Sequence, residues 1–202
     1  MCNVKYTFSE DGSVAYGHLP DGIVFMVDTA SLDKIAGISF YRNYRDLTGK
    51  ILYVMDRYRK QLHRHLVDVP KGYEVDHINL DTLDNRLCNL RICTHQQNQC
   101  NQPRQRNNTS GVTGVSFYKP RGKYRARIKI CQHDIHLGYY QTFEEAVQAR
   151  NVGMACMFGD YGRYDEVEEI PPWIEEDVIN RCKRFVGLSI CESFIDFVKN
   201  AA

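Results

Sequence analysis

No apolar run in this 202-residue chain is long enough to span a bilayer, which sets aside a helical membrane protein. Its first residues lack the pattern of a secretory signal, so a cytoplasmic location is expected. Its eight cysteines include no Cys-x-x-Cys pair and show no framework spacing. That argues against a disulfide scaffold and for reduced thiols. Cys88, Cys93 and Cys100 with His95 can be drawn as a zinc site. Without a Cys-x-x-Cys pair, small apolar packing residues are the preferred reading. One long stretch also lacks charge of one sign. Residues 85–133 carry ten Lys or Arg and no Asp or Glu. The flanks are acidic: residues 1–84 carry ten basic and twelve acidic residues, and residues 134–202 carry six and thirteen. A net charge of +1 hides this asymmetry. A long acid-free basic block is the electrostatic footprint of a polyanion partner.

The segment from Glu74 to Asn98 is the most informative. Val75, His77 and Ile78 form a short β-favouring run. Asp84-Asn85 is turn chemistry, because both side chains bond their own backbone. Leu90, Ile92 and Thr94 alternate as a second strand does. Thr94 then reads as a helix N-cap, with Gln97 completing a capping box. The pattern predicts a strand, loop, strand and helix. Asp76 and His77 are neighbours, so a regular strand points them to opposite sides. A twist or bulge is expected if both serve one phosphate. Asp76 and Asn98 offer hard oxygen ligands suited to Mg²⁺ or Mn²⁺. A neutral His77 is suited to take a proton from water near pH 7.

On these residues the segment resembles the HNH nuclease motif, in the form seen in phage and intron homing endonucleases. The resemblance covers residues 60 to 101. It implies a ββα-metal core, with His77 as catalytic base and Asn89 as the structural Asn. It implies that Asp76 and Asn98 hold one divalent cation, and it matches His63 to a His that often precedes the motif. The family commonly has His where this chain has Asn98, which argues for Mg²⁺ or Mn²⁺ over Zn²⁺. Hydrolysis of duplex DNA to 3′-hydroxyl and 5′-phosphate ends is implied in the same way. His65 is expected to be a packing or surface residue, and His95 to face solvent or DNA. Arg86 and Arg91 are candidate phosphate contacts, or partners of Asp81 or Asp84.

Ahead of the motif, Val14-Ala15-Tyr16 and Ile23 to Val27 are β-like, and Ser31 to Ile35 reads as the start of a short helix. A structural platform is expected here. Behind it, Gln99 to Asn108 is a polar stretch whose Arg104 and Arg106 are placed to lie along DNA.

From Ser110 the pattern changes. Gly111 to Tyr118 reads as a strand and Pro120-Arg121-Gly122 as a turn. Tyr124 to Ile130 reads as a second strand and His136 to Tyr140 as a third. Period two puts Arg125, Arg127 and Lys129 on one face of the second strand and Tyr124, Ala126, Ile128 and Ile130 on the other. Thr142 caps a helix, with Glu145 completing a capping box. Phe143, Val147, Met154 and Phe158 share a helical face, and Ala146, Ala149 and Gly153 permit close approach to a sheet. Ser110-Gly111 with Gly114-Val115, Lys123 to Ala126, Leu137 to Tyr140 and Thr142 to Ala146 together resemble the DNA-binding domain of plant ethylene-response factors (apetala-two type). That family usually has Trp where this chain has Tyr124. The resemblance implies a sheet entering the major groove, with Lys119, Arg121, Arg125, Arg127 and Lys129 as DNA contacts. Beyond it, Pro171-Pro172-Trp173 breaks the chain, and Asp177 to Phe185 and Ile190 to Val198 look helical.

The expectation is an α+β chain. An HNH nuclease domain with its strand-rich lead spans 1–102, a linker 103–109, a three-stranded antiparallel sheet packed on one helix 110–164, and a helical tail 165–202. The expected function is metal-dependent cleavage of double-stranded DNA, by a monomer. The rival is a non-catalytic DNA-binding protein that keeps the nuclease fold.

Overall fold

The computed structural model describes residues 4–44, 52–102 and 108–187. It is a mixed α+β chain of small antiparallel sheets and a few helices. The chain divides into two compact units, Met1–Asn98 and Gln99–Ala202.

The first unit opens with β1 (Lys5–Phe8), β2 (Val14–His18) and β3 (Val24–Asp28), an antiparallel meander. A 3-10 helix, Thr29–Ile35, covers the expected short helix. β4 (Phe40–Tyr44) pairs with β5 (Leu52–Asp56), and α1 (His63–Leu66) follows. β6 (Glu74–His77), β7 (Leu90–Cys93) and α2 (His95–Cys100) form the expected strand–loop–strand–helix. The capping box holds: Thr94 N–H donates to Gln97 Oε1 at 2.7 Å, and Gln97 N–H donates to Thr94 Oγ1 at 3.3 Å. Ala15, Phe25, Val27, Ile35, Phe40, Val54, Leu62, Leu66, Val75 and Leu90 are buried together. That single core joins the N-terminal sheet to the hairpin and to α1.

The N-terminal sheet does more than fill space. Its edge strand β3 pairs with the loop between β6 and β7. Met26 N–H donates to Leu83 O and Met26 O accepts from Asn85 N–H, each at 2.8 Å. The Asp28 carboxylate accepts from Leu87 N–H at 2.6 Å. A loop backbone that would otherwise seek water finds partners here, so its conformation is held.

The second unit holds β8 (Val115–Tyr118), β9 (Lys123–Ile130) and β10 (His133–Tyr140) in antiparallel order β8-β9-β10. α3 (Phe143–Phe158) packs on the sheet. Its N-terminus carries the expected capping box between Thr142 and Glu145. A Cβ on Gly153 would meet Leu137 Cδ1 at 2.6 Å, so the absent side chain sets the approach of helix to sheet. The first strand is shorter than expected. Gly111 and Gly114 sit at φ 91° and 88°, in the left-handed region, so 111–114 turns and the ladder starts at Val115. β10 is longer than expected, starting at His133, with a register shift between His136 and Gly138.

Within the described residues, the segment after 164 packs back on the second unit through α4. Pro172 opens α4 (Pro172–Gly187), where its missing N–H costs nothing. Ile174, Val178 and Cys182 of α4 are buried in one core with Ile128, Ile130, Leu137, Val147 and Met157. The expected helix at Ile190 to Val198 lies outside the described residues.

Candidate active site and basic sheet face

β6 and β7 pair from Glu74↔Cys93 through Asp76↔Arg91 to His77↔Leu90, with no register shift. The expected bulge is therefore not in this ladder, and Asp76 and His77 leave it on opposite faces. Each face is built differently.

The first face carries Glu74, Asp76, Arg91 and Cys93. Asp76 is buried, and its Oδ2 accepts from Arg91 Nε at 2.9 Å and Nη2 at 2.7 Å. Asn98, one turn into α2, reaches back to this face, where its Nδ2 donates to Glu74 Oε2 at 2.5 Å. The other oxygen of Glu74 meets His95 Nδ1 at 2.9 Å. Burial pushes the Cys93 thiol up to about 12, and it donates weakly to Glu74 O at 3.8 Å. Asp76 and Glu74 thus share one face of the hairpin, and Asn98 is joined to that face through Glu74. A carboxylate and an amide oxygen are donors that suit a hard divalent cation. Among the described residues no group of three His, Cys, Asp or Glu could by itself enclose a metal ion.

The second face holds His77, which is 4% exposed. Its ring meets His63 at 5.0 Å and Tyr53 at 6.3 Å between centroids. Its Nε2 lies 3.2 Å from Asn85 Oδ1. Burial lowers the His77 pKa, with Asn85, Asp76, Asp81 and Asp84 pulling the other way. His63 is pushed down to about 3, by burial first and by the neighbouring His77 second. Both imidazoles are neutral at pH 7, the form a general base requires.

Asn89 closes the loop between the strands. Its Oδ1 accepts from Asn79 N–H at 2.9 Å, and its Nδ2 donates to Asp84 O at 2.8 Å. Arg86 is engaged within this loop, its Nε and Nη2 on the two oxygens of Asp84 at 2.8 and 2.7 Å. His65 packs inward, with Nε2 3.2 Å from Asp56 Oδ2. From the sequence, Asn85 has a role only in the turn, and Glu74 and Tyr53 have none. Glu74 lies two residues before Asp76, a same-face spacing that would have drawn attention to it. Asn85 and Tyr53 come into place only through the loop and through β5.

In the second unit, β9 alternates as its sequence does: Ala126, Ile128 and Ile130 are buried, Arg127 and Lys129 exposed and Arg125 half-buried. The outward face is aromatic as well as basic. Arg121 lies over the Tyr139 ring at 4.4 Å and Arg125 over the Tyr118 ring at 5.4 Å. Tyr118 and Tyr139 meet at 5.3 Å between centroids. Arg125 Nε is buried with no hydrogen-bond partner among the described residues. Lys119 and Arg121 are exposed at the rim. Arg127 is not unopposed: its Nη1 is 2.9 Å from Asp134 Oδ2. Arg104 and Arg106 lie outside the described residues.

The HNH endonuclease family profile matches residues 62–100, which contain α1, the hairpin and α2. Protein 3.8 of Escherichia phage T7 is 38% identical over 60 residues, 30% of this chain and 50% of that protein. An uncharacterized HNH endonuclease of Acanthamoeba polyphaga mimivirus is 29% identical over 145 residues, 68% of this chain and 74% of that protein. This chain therefore spans half the phage protein and about three quarters of the mimivirus one. The second match is longer than the Met1–Asn98 unit, so it takes in part of the second unit. No solved structure matches. The hairpin and helix around His77, Asn89 and Asn98 form an HNH endonuclease domain.

Proposed function

We propose that this chain is a divalent-metal-dependent DNA endonuclease of the homing type, acting in the cytoplasm of a phage-infected or bacterial cell. The observation that carries this reading is the hairpin itself. A buried neutral imidazole ends one strand, directly after a buried carboxylate whose face is joined through Glu74 to an amide from the following helix. Neighbouring Cα atoms are only about 3.8 Å apart. In this reading the phosphate lies at the loop end of the hairpin, where β6 ends at His77.

In this reading His77 takes the proton from the attacking water. Asp76 and Asn98 hold one Mg²⁺ or Mn²⁺. That cation, when bound, stabilises charge on the scissile phosphate and the leaving oxygen. A cation held by Asp76 would compete with Arg91 for the same carboxylate oxygen, and Arg91 would then be placed to meet a phosphate oxygen. Asn89 and Asp84 keep the loop, and with it His77, in one arrangement. Lys119, Arg121, Arg125 and Lys129, with Tyr118 and Tyr139, form a sheet face of the kind that apetala-two-type domains set in the major groove. The proposed partner of that face is duplex DNA, and the proposed unit of action is a monomer.

The test is nicking of supercoiled plasmid by the purified chain. Mg²⁺ or Mn²⁺ should support cutting and a chelator should stop it. Undiminished cutting in the chelator would remove the metal from the mechanism. No cutting with either metal on phage or host DNA would favour a DNA-binding protein without turnover.

A further inference from the structure

We infer that Asn85 is the positioning residue of the proposed base, and that it decides which nitrogen of His77 carries the hydrogen. This rests on the nuclease reading only for its consequence in catalysis. The geometry stands without it.

Asn85 is fully buried, and its side chain is held at both ends. Nδ2 donates to the backbone oxygen of Thr82 at 3.2 Å. A carbonyl only accepts, so that contact requires the NH₂ end of the amide. The amide cannot be flipped without setting two oxygens against each other. Oδ1 is therefore the end that faces His77 Nε2, 3.2 Å away. An amide oxygen only accepts, so Nε2 must be the donor. In a neutral imidazole one nitrogen donates and the other bears the lone pair. The lone pair that takes the proton from water is then on Nδ1.

The orientation of Asn85 is itself imposed from afar. Its own N–H donates to Met26 O at 2.8 Å, and the flanking Asp84 pairs with the same strand residue. Thr82 is fixed in turn through its hydroxyl to Leu52 O. Two strands of the N-terminal platform, β3 and β5, thus hold the residue that sets the imidazole. The strand-rich lead therefore has a part in the chemistry beyond packing.

The experiment is nitrogen NMR of the full chain with ¹⁵N-labelled histidine, without metal or DNA, at a pH where His77 is neutral. His77→Ala identifies the His77 signals among those of the seven histidines. Nε2 should resonate in the protonated, pyrrole-like region and Nδ1 in the unprotonated, pyridine-like region. The reverse assignment in the unaltered protein overturns the inference, and no variant is needed for that result. Asn85→Ala should lose the preference, giving averaged shifts, and should lower kcat by roughly tenfold or more with KM little changed. Asn85→Asp keeps an acceptor at that place and should retain the Nε2–H form. If Asn85→Ala folds and keeps the unaltered tautomer, the inference also fails. A protein with the Nε2–H form that cuts no DNA would leave the Asn85 assignment standing and sink the nuclease reading instead.

Discussion

The two units solve different problems and use polar groups in opposite ways. Around the hairpin, the groups that matter are buried and hydrogen-bonded: Asp76, His77, Asp84, Asn85 and Asn89 are each less than a tenth exposed. On the β8-β9-β10 sheet they are outward-facing, with an apolar core behind them. A buried polar group must be satisfied, so every member of the hairpin set fixes its neighbours. An outward cation can wait for its partner in water. The first arrangement suits a reaction that needs one geometry. The second suits a long charged ligand met by many weak contacts.

The largest effect that would test this contrast is at His77. In a plasmid-nicking assay His77→Ala should lower turnover by about a hundredfold or more, the scale of losing a general base, with DNA affinity largely kept. Asp76→Ala and Asn98→Ala should raise the Mg²⁺ or Mn²⁺ concentration needed for half-maximal cutting, while Cys93→Ser should not. If Asn98→Ala leaves metal activation untouched and Cys93→Ser abolishes it, the oxygen-ligand assignment is wrong.

The next effect belongs to the fold of the second unit. Gly114 has φ +88°, and a Cβ there would overlap the Arg127 carbonyl. Gly114→Ala should cost about 1–3 kcal/mol. Hydrogen exchange should report faster opening of β8 and β9, with the hairpin of the first unit protected as before. Equal loosening of both units would mean that they do not hold their structures separately.

A smaller and more discriminating effect concerns the cations of β9. Each phosphate contact removed should reduce the slope of log affinity against log salt by about 0.9. Arg125→Ala and Lys129→Ala should each show this. Arg127→Ala should show less, because Arg127 must first give up Asp134. Asp134→Ala should then strengthen binding. Slopes unchanged from the unaltered chain in all four variants would make this face an ordinary solvated surface.

The smallest effect is in pH. Burial depresses the His77 pKa, and the proposed mechanism uses its neutral form. As pH falls, cutting should persist through the ordinary histidine value near 6.5 and be lost only below it. A pH–rate profile whose acid limb lies above 6.5 would show that another group controls the reaction.

Some of this was legible in the chain itself. Local chemistry marked the capping boxes at Thr94 and Thr142, because a cap needs only residues three apart. Period two predicted which side of β9 is apolar, and the spacing of His77, Asn89 and Asn98 marked the hairpin and helix. The start of β8 was less legible, since Gly111 and Gly114 allow either a strand or a left-handed turn. Pro171-Pro172 reads as a break, yet Pro172 begins a helix whose apolar side completes the core of the preceding sheet and α3.

Charge shows the division most clearly. By itself the sequence determined that residues 85–133 contain no acid. Only the tertiary structure decided that Arg86, Arg91 and Arg127 nevertheless have carboxylate partners, in Asp84, Asp76 and Asp134, each outside that window. Residues 15 apart along the chain, such as Asp76 and Arg91, become neighbours when a hairpin closes. In the same way the sequence determined that a histidine stands beside an aspartate. The closed loop, held against β3, decided that the ring is buried, faces Asn85 and lies across the hairpin from that aspartate. The physical reason is common to both. Residue type and spacing act over a turn or a strand, whereas burial and hydrogen-bond partners depend on which distant segments the core brings together.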